Sequence, residues 1–334
     1  MEWAKGYTAT YDLYQISPVT WADIQQLEFT GGSIDRSSKD LLQSADIDMT
    51  EKPNDGEIWV RIYLNARQNG DAERIPLFTG LTSAPERELD GRRESYKIEC
   101  YSVLKPLDDI MLQRGWYAPA GIEGAKLVSD LLKGFAPVTY SSGSQTISES
   151  IIAEDGETKL SMAQKILNAI GWHIVIDGMG DISIEPYDTA NKAMFSTLQN
   201  DIVETDITDT YDWYSCPNVF RAVASTSTAT ARDDSEKSPL STVNRGREIW
   251  AEETGVNLAD NETLSQYAKR RLTELQTPSR TLSYKRRYVP ELNVGDMVRI
   301  SYPEVGLDGK FKITEQSIEL GYACQTKEEV IEVG

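Results

Sequence analysis

The residues best able to do chemistry in this sequence are its carboxylates and a single histidine. The 334-residue chain carries 53 acidic and 34 basic residues, and His173 is its only histidine. A Ser-His-Asp triad or a Cys-His pair would need that one ring, and an HExxH zinc site needs two. His173 alternates between Trp172 and Ile174, which favours a structural ring on a strand. The sequence therefore predicts no catalytic residue, cofactor-binding residue or metal ligand.

The densest acidic cluster is the stretch DIVETDITDTYD. Its acids are Asp201, Glu204, Asp206, Asp209 and Asp212, with no basic residue among them. A glycosidase needs only two carboxylates, and this chain has many. The spacings within the cluster do not match an EF-hand calcium loop. Two interpretations remain for the cluster: a calcium site, or an acidic strand edge whose like charges prevent unwanted pairing.

Signals for phosphate and nucleic-acid binding are weak. The chain has no GxxxxGK[ST], GxGxxG or GxSxG motif, and Gly178-Met179-Gly180 falls at a predicted hairpin tip. The stretch YKRRY, from Tyr284 to Tyr288, interleaves basic and aromatic residues as nucleic-acid binders do. The net charge of -19 argues against phosphate contacts holding the protein. A strand face or a subunit contact is the favoured interpretation of YKRRY.

Length and composition indicate a soluble protein of two or three domains. No apolar run approaches the roughly 20 residues of a membrane helix, so no membrane span is expected. The N-terminus lacks the apolar region of a secretory signal, and we expect synthesis in a cytoplasm. Cys100, Cys216 and Cys324 form no CxxC motif, which predicts buried thiols rather than disulfides or a zinc site.

The first part of the chain, residues 1–105, is dominated by strand signals separated by turn formers. The spacing favours a small antiparallel β-barrel or sandwich there. The stretch EIWVRIYLNA alternates, with one face made of Ile58, Val60, Ile62 and Leu64, and the other of Trp59, Arg61 and Tyr63. This period of two is typical of a half-buried strand.

Residues 106–195 predict a small α/β domain. GAKLVSDLLKGF and KLSMAQKILNAIG have the apolar spacing of amphipathic helices, the second ending at Gly171. WHIVIDGMGDISIEP alternates into and out of a glycine turn, which predicts a β-hairpin.

Residues 196–334 predict a second β-barrel domain. The segment 225–247 is poor in large apolar residues and predicts a flexible arm. A helix is expected over 261–275, capped by Asp260 or Asn261. The predicted fold class is mainly β with α+β: two small antiparallel β-barrel domains flanking a small α/β domain.

The order of these parts resembles the hub proteins of phage baseplates and tail tips. In that family the last barrel carries an apolar-x-x-Gly-Asp-x-Val-x-Ile strand, then a Gly-x-Phe/Tyr-x-Ile strand. The matching residues here are Leu292, Gly295, Asp296, Val298, Ile300, Gly309, Phe311 and Ile313. IPLFTGLTSAPER, ECYSVLKPLDDIMLQRGWYAPAG and CPNVFRAV, with Asn218, resemble further family segments.

The resemblance implies a non-enzymatic structural protein of the virion, located at the tail tip. Three copies would form a ring of six barrels that adapts a sixfold tail tube to a threefold tip. The implied partners are two further copies, the tail tube or distal tail protein, a tip spike or fibre protein and the tape-measure protein, with no sequence-specific nucleic-acid binding and no cofactor.

The passage through such a ring must let DNA move without binding it. Acids repel phosphates, whereas lysines and arginines would hold them. The candidates to line the passage are Asp201, Glu204, Asp206, Asp209 and Asp212.

Two other functions are compatible with the composition. The abundance of carboxylates suits a tail-associated cell-wall hydrolase. The 7 tryptophans and 16 tyrosines suit a carbohydrate-binding β module.

Overall fold

The computed structural model describes residues 1–39, 41–52, 56–91, 93–143, 145–196, 203–224, 227–256 and 263–333. Strands account for 47% and helices for 14%, so the mainly-β class is confirmed. Within the described residues, no closed barrel forms, because the main sheet runs from one edge strand to another. The chain divides into unit 1, Met1–Ile207 with Tyr284–Gly334, and unit 2, Thr208–Ser283. The boundaries at residues 105 and 195 stay predictions.

Unit 1 opens with a run of strands and short helices. Its strands up to residue 196 are β1 (Thr8–Ile16), β2 (Asp23–Leu27), β3 (Gly31–Ser37), β4 (Gln43–Met49), β5 (Trp59–Gln68), β6 (Asp71–Thr82), β7 (Glu86–Asp90), β8 (Arg93–Ser102), β9 (Tyr117–Ala118), β10 (Val138–Tyr140), β11 (Ile151–Ile152), β12 (Trp172–Ile176), β13 (Ile182–Pro186) and β14 (Asn191–Ser196). Its helices are α1 (Lys105–Asp108), α2 (Gly124–Leu132) and α3 (Lys159–Ile170). The two predicted helices and the predicted hairpin are confirmed.

The rest of the chain completes both units. Unit 2 contains β15 (Thr208–Tyr211), β16 (Val219–Val223), β17 (Thr228–Arg232), α4 (Thr242–Arg245), β18 (Trp250–Thr254), α5 (Leu264–Leu275) and the first half of β19 (Arg280–Arg287). The chain then returns to unit 1 with β20 (Met297–Tyr302), a 3-10 turn at Pro303–Val305, β21 (Leu307–Glu319) and β22 (Gln325–Glu332). The predicted arm thus contains β17 and α4.

The main sheet of unit 1 joins the beginning of the chain to its end. Its strands follow the order β22-β21-β3-β4-β8-β6-β5-β1-β2, with β20 beside β21, β14 beside β20 and β7 beside β8. The 13-residue β21 is long enough to pair with β20 through its first half and with β3 through Glu315–Glu319. The hydrophobic core beneath therefore mixes early residues such as Leu13 with late ones such as Ile318.

The two units have additional small sheets with their own cores. In unit 1, β10-β13-β12 packs with α2 and α3 over a core that includes Ile166 and Ile184. In unit 2, β17-β16-β18 packs against α5 through Phe220 and Leu272. Helix α5 begins after Thr263, whose hydroxyl accepts from the Gln266 N–H in a capping box. The expected caps, Asp260 and Asn261, lie outside the described residues.

Strand β5 departs from the half-buried prediction, because both of its faces are covered. Arg61 and Tyr63 are only 2% and 7% exposed. Arg61 donates through Nε to Thr79 Oγ1 at 2.9 Å and through Nη2 to the Met179 carbonyl at 3.1 Å. The tip of the β12–β13 hairpin therefore helps to cover this face. The buried guanidinium is satisfied by the Met179 carbonyl together with Thr79 Oγ1 and the Asp23 carboxylate, with which it forms an ion pair at 3.1 Å.

None of the helices in the described ranges is long and apolar enough to cross a membrane. All three cysteines are buried and free, which confirms the predicted thiols.

The start of α3 depends on one buried carboxylate. Glu157, 7% exposed, accepts from the Glu154 N–H and the Ser161 hydroxyl, both at 2.8 Å, and pairs with Lys165 at 2.8 Å. Burial alone would raise the pKa of Glu157, but Lys165 and these hydrogen bonds outweigh it and lower the pKa. The stability this carboxylate contributes is present above its ordinary pKa of 4.5 and is lost as pH falls below that value.

Replacing Glu157 with glutamine is therefore expected to lower the free energy of unfolding at pH 7 and to flatten its decline at acidic pH. Urea unfolding at pH 7 and at about pH 4 measures both effects. Glu154→Gln is the matched control, since Glu154 also pairs with Lys165 but is 83% exposed. An equally steep acid decline in E157Q and the unsubstituted chain would contradict the assignment.

Candidate functional site

The Gly-Asp pair of the family-like motif forms the turn that begins β20. Gly295 has φ +96°, a conformation that residues with a Cβ rarely adopt, and its N–H donates to Ile313 O at 2.8 Å. The Asp296 carboxylate accepts from the Asn293 N–H at 2.8 Å and pairs with Lys192 at 2.7 Å. The pair therefore fixes where the strand starts.

Five of the six remaining motif residues lie in one β20–β21 hairpin, and Leu292 precedes it. Val298 is opposite Phe311, and Ile300 is opposite Gly309. A Cβ on Gly309 would lie 3.0 Å from the Phe311 ring, so the glycine leaves room for that ring. Leu292 and Ile313 are buried as well. The motif thus builds a packed hairpin, with every apolar member in the core.

The acidic candidates divide between the two units. Asp201 lies outside the described residues. Glu204 and Asp206 belong to unit 1 and are exposed, and Glu204 accepts from the Gln325 amide. Asp209 and Asp212 belong to unit 2. Among the described residues of this stretch, Thr208 to Tyr211 form a strand.

The two acids of unit 2 are engaged in local contacts. Asp209 accepts from Arg280 Nε and Nη2 at 3.0 and 2.8 Å, a bidentate pair. Asp212 accepts from the Tyr214 and Ser215 N–H groups at 3.0 and 3.1 Å and from the Ser215 hydroxyl. The Ser215 contacts hold the pKa of Asp212 below its ordinary value. Across the described ranges, no three histidine, cysteine or acidic side chains could hold a metal ion.

The YKRRY stretch alternates along β19, and its strand-face interpretation is confirmed. Tyr284, Arg286 and Tyr288 are buried, whereas Lys285 is exposed. Buried rings cannot stack on bases. Arg286 instead pairs with Glu328, and both side chains are 0% exposed.

A cleft of about 330 Å³ lies in unit 1 between the β3–β4 turn, α3, β12, the turn before β20 and the middle of β21. We call it the basic cleft, because its charged lining residues are Arg36, Lys39 and Lys312, and none of the described residues that line it is acidic. His173 stacks on Tyr187 there, with ring centroids 4.4 Å apart. The Lys312 ammonium lies 4.3 Å from the Tyr187 ring centroid.

Three polar atoms in this cleft are buried without a hydrogen-bond partner among the described residues: Arg36 Nε, Gln43 Oε1 and His173 Nδ1. Burial lowers the pKa of His173, and the nearby Lys312 charge lowers it further. The Glu185 carboxylate raises it, but by less than these two effects together. Burial also lowers the pKa of Lys312. Sequence reasoning missed the cleft, because its lining residues are far apart in the chain.

A second feature that the sequence did not indicate is an exposed aromatic surface in unit 2. Tyr211, Trp213 and Tyr214 are 43%, 51% and 74% exposed. Arg280 lies 5.3 Å from the Tyr211 ring centroid, and Arg247 lies 4.1 Å from that of Tyr214. Tyrosine, tryptophan and arginine are the residues most enriched at binding hot spots.

No protein-family model and no curated protein sequence matches the chain. Several solved structures match almost its whole length, and three of them are tail proteins. The tail protein from Neisseria meningitidis is 14% identical over 99% of this chain and 98% of that one, with a TM-score of 0.66. The 43 kDa tail protein of prophage MuSo2 from Shewanella oneidensis is 15% identical over 97% of this chain and 98% of that one, with a TM-score of 0.63. Prophage tail protein gp18 from Listeria monocytogenes is 13% identical over 96% of this chain and 94% of that one, with a TM-score of 0.52. The chain has the fold of these tail proteins.

Proposed function

We propose that this chain is a structural subunit of a phage tail tip, in which three copies form a ring at the end of the tail tube. The observation that carries the proposal is the end-to-end match to three tail proteins, which leaves almost no part of this chain or of those chains unaligned. A match confined to one small sheet would support only a common module. The fold of the whole chain, rather than any catalytic group, is what it has in common with them.

The proposed partners are two further copies, the tail tube or distal tail protein, a spike or fibre at the tip, and the tape-measure protein. A threefold ring of subunits with two similar β modules each presents six modules, which suits a sixfold tube on one side and a threefold tip on the other. The aromatic surface of unit 2 is our candidate for the contact between copies, because it combines exposed rings with arginines.

Glu204 and Asp206 are our candidates for the wall of the passage. Both are exposed, whereas Asp209 and Asp212 are occupied by Arg280 and by the turn at Ser215. Exposed carboxylates beside passing DNA would offer no phosphate contact. A charge map of the assembled ring that places both residues on its outer rim would overturn this assignment.

The alternative, a cell-wall hydrolase, is tested by incubating the protein with purified peptidoglycan. We expect no bond cleavage from a structural subunit. Cleavage that disappears when a single Asp or Glu is substituted would establish the hydrolase instead. The described residues provide no histidine pair, and the carboxylates of Asp209 and Glu328 form ion pairs with Arg280 and Arg286.

The assembly itself gives a further prediction. Native mass spectrometry should find a species of three times the 37.4 kDa chain mass. Replacing Trp213 and Tyr214 together with alanine should weaken association about thirtyfold or more, the loss typical of a hot spot. Tyr117→Ala, an aromatic residue of unit 1 that is 55% exposed, is the matched control. A chain that remains monomeric at every concentration, alone and with tail tube protein, would overturn the ring.

A further inference from the structure

We propose that the basic cleft binds an extended peptide segment of a partner protein, one that carries acidic side chains and adds a strand to the free edge of β12. Such a site would give the subunit a specific peptide-binding function in addition to ring formation. The argument has three independent parts: the strand edge, the unpartnered polar atoms and the charge of the lining.

The first part is the open edge of β12. In the part of the chain that the structure describes, β12 pairs with β13 and with no other strand. Asp177 donates its N–H to Asp181 O across the hairpin, and hydrogen-bonded residues alternate along an antiparallel ladder. The backbone groups of Ile174 and Ile176 are therefore directed to the open side. On that side the Ile176 carbonyl already accepts from Gln43 Nε2, at 2.7 Å, so a bound strand would pair with the backbone of Ile174.

An edge of this kind can accept a peptide backbone. Residues Trp172 to Ile176 all line the cleft, so a bound strand would lie within it rather than on an outer surface. Main-chain hydrogen bonds would supply the affinity. The side chains of the bound peptide would alternate between the sheet face that carries His173 and Val175 and the opposite face.

The second part is the pair of unpartnered polar atoms. Arg36 and Gln43 are each 7% exposed. Arg36 Nη1 and Nη2 donate to Asn293 Oδ1 and Leu77 O. Among the residues that the structure describes, the Arg36 Nε donor and the Gln43 Oε1 acceptor have no hydrogen-bond partner. Leaving such groups unpaired in a buried site is destabilising, so a ligand that pairs with them gains affinity. A peptide supplies both a carbonyl and an N–H, whereas an inorganic anion such as phosphate supplies mainly acceptors.

The third part is charge. The chain has a net charge of -19, but the charged residues lining this cleft are Arg36, Lys39 and Lys312. Burial lowers the pKa of Lys312, so its ammonium would gain from a carboxylate placed beside it. A surface that opposes the charge of the whole molecule selects acidic segments and rejects basic ones.

The test uses fluorescein-labelled synthetic pentapeptides in an anisotropy titration with the full chain. An acetylated, amidated Val-Glu-Val-Glu-Val peptide is expected to bind saturably. The Val-Lys-Val-Lys-Val peptide and a backbone N-methylated form of the acidic peptide are expected to bind about tenfold more weakly or worse, because the first has the wrong charge and the second cannot pair with an edge.

Variants assign the binding to the cleft. Lys312→Glu and Lys39→Glu are each expected to weaken binding of the acidic peptide about tenfold. Lys39 is exposed in a turn, so its substitution leaves the fold intact even if Lys312→Glu does not. Lys327→Glu on β22 makes the same charge change at an exposed residue outside the cleft, and we expect less than about a twofold effect.

Three kinds of result would overturn the proposal. The first is the absence of saturable binding at about 1 mM protein, a concentration that detects even weak recognition. The second is equal binding of the N-methylated peptide, which would exclude strand addition. The third is equal weakening by Lys39→Glu and Lys327→Glu, or full displacement by an equal concentration of inorganic phosphate, which would indicate general anion attraction.

Discussion

Replacing Arg286 with methionine is expected to lower the free energy of unfolding by about 3–5 kcal/mol. Arg286 and Glu328 are both 0% exposed, and the pair is bidentate, with Nε–Oε2 at 2.8 Å and Nη2–Oε1 at 2.5 Å. Burial alone would lower the pKa of Arg286, but the Glu328 carboxylate outweighs it and raises the pKa. Without the guanidinium, the buried Glu328 charge would lose its cationic partner, although the Gln316 amide would still donate to it at 2.6 Å.

Urea unfolding of three variants measures this effect and its cause. Arg286→Met with Glu328→Leu removes both charges, and we expect it to recover most of the loss, because no unpaired charge remains buried. Arg299→Met is the control, since Arg299 pairs with Asp308 where both side chains are nearly half exposed, and such pairs contribute about 0–1 kcal/mol. The assignment fails if R286M and R299M prove equally stable.

Gly178→Ala is expected to destabilise unit 1 by about 3 kcal/mol or more, the upper range for an overpacked core. A Cβ at this position would lie 1.9 Å from the Pro76 carbonyl oxygen, which belongs to backbone and cannot swing aside. The Gly178 carbonyl also accepts from Thr79 Oγ1 at 2.8 Å. Separation of the β12–β13 hairpin tip from β6 would break this bond and remove the Met179 carbonyl from the buried Arg61 guanidinium.

Thermal unfolding and amide hydrogen exchange together test this prediction. In G178A we expect a lower melting temperature and faster exchange in β5, β6, β12 and β13 than elsewhere. Gly6→Ala is the matched control, because nothing lies within 4 Å of the position that its methyl group would occupy, and it should change stability by less than about 0.5 kcal/mol. Equal exchange rates in G178A and the unsubstituted chain would show that the hairpin tip does not need a glycine.

Local patterns in the sequence were sufficient to predict many individual elements. The apolar spacing around Leu160, Ala163 and Leu167 and the αL conformation of Gly171 define α3 within a few neighbouring residues. The Gly-Asp turn at Gly295 and the alternation after it likewise predicted β20. These features depend on backbone preferences and side-chain periodicity over about ten residues, which the sequence contains directly.

The sequence alone determined a mainly-β chain, its short helices and the β12–β13 hairpin, because each depends on neighbouring residues. The resemblance to tail hubs came from the order of these parts along the chain. Tertiary structure decided the rest. Arg61 had the pattern of a solvent-facing residue, but it is buried among Asp23, Thr79 and the hairpin tip, which lies more than a hundred positions away. The pairing of β3 with β21 and the basic cleft likewise join residues from distant segments. Such contacts depend on which surfaces meet after folding, and periodicity within one segment holds no information about its future neighbour.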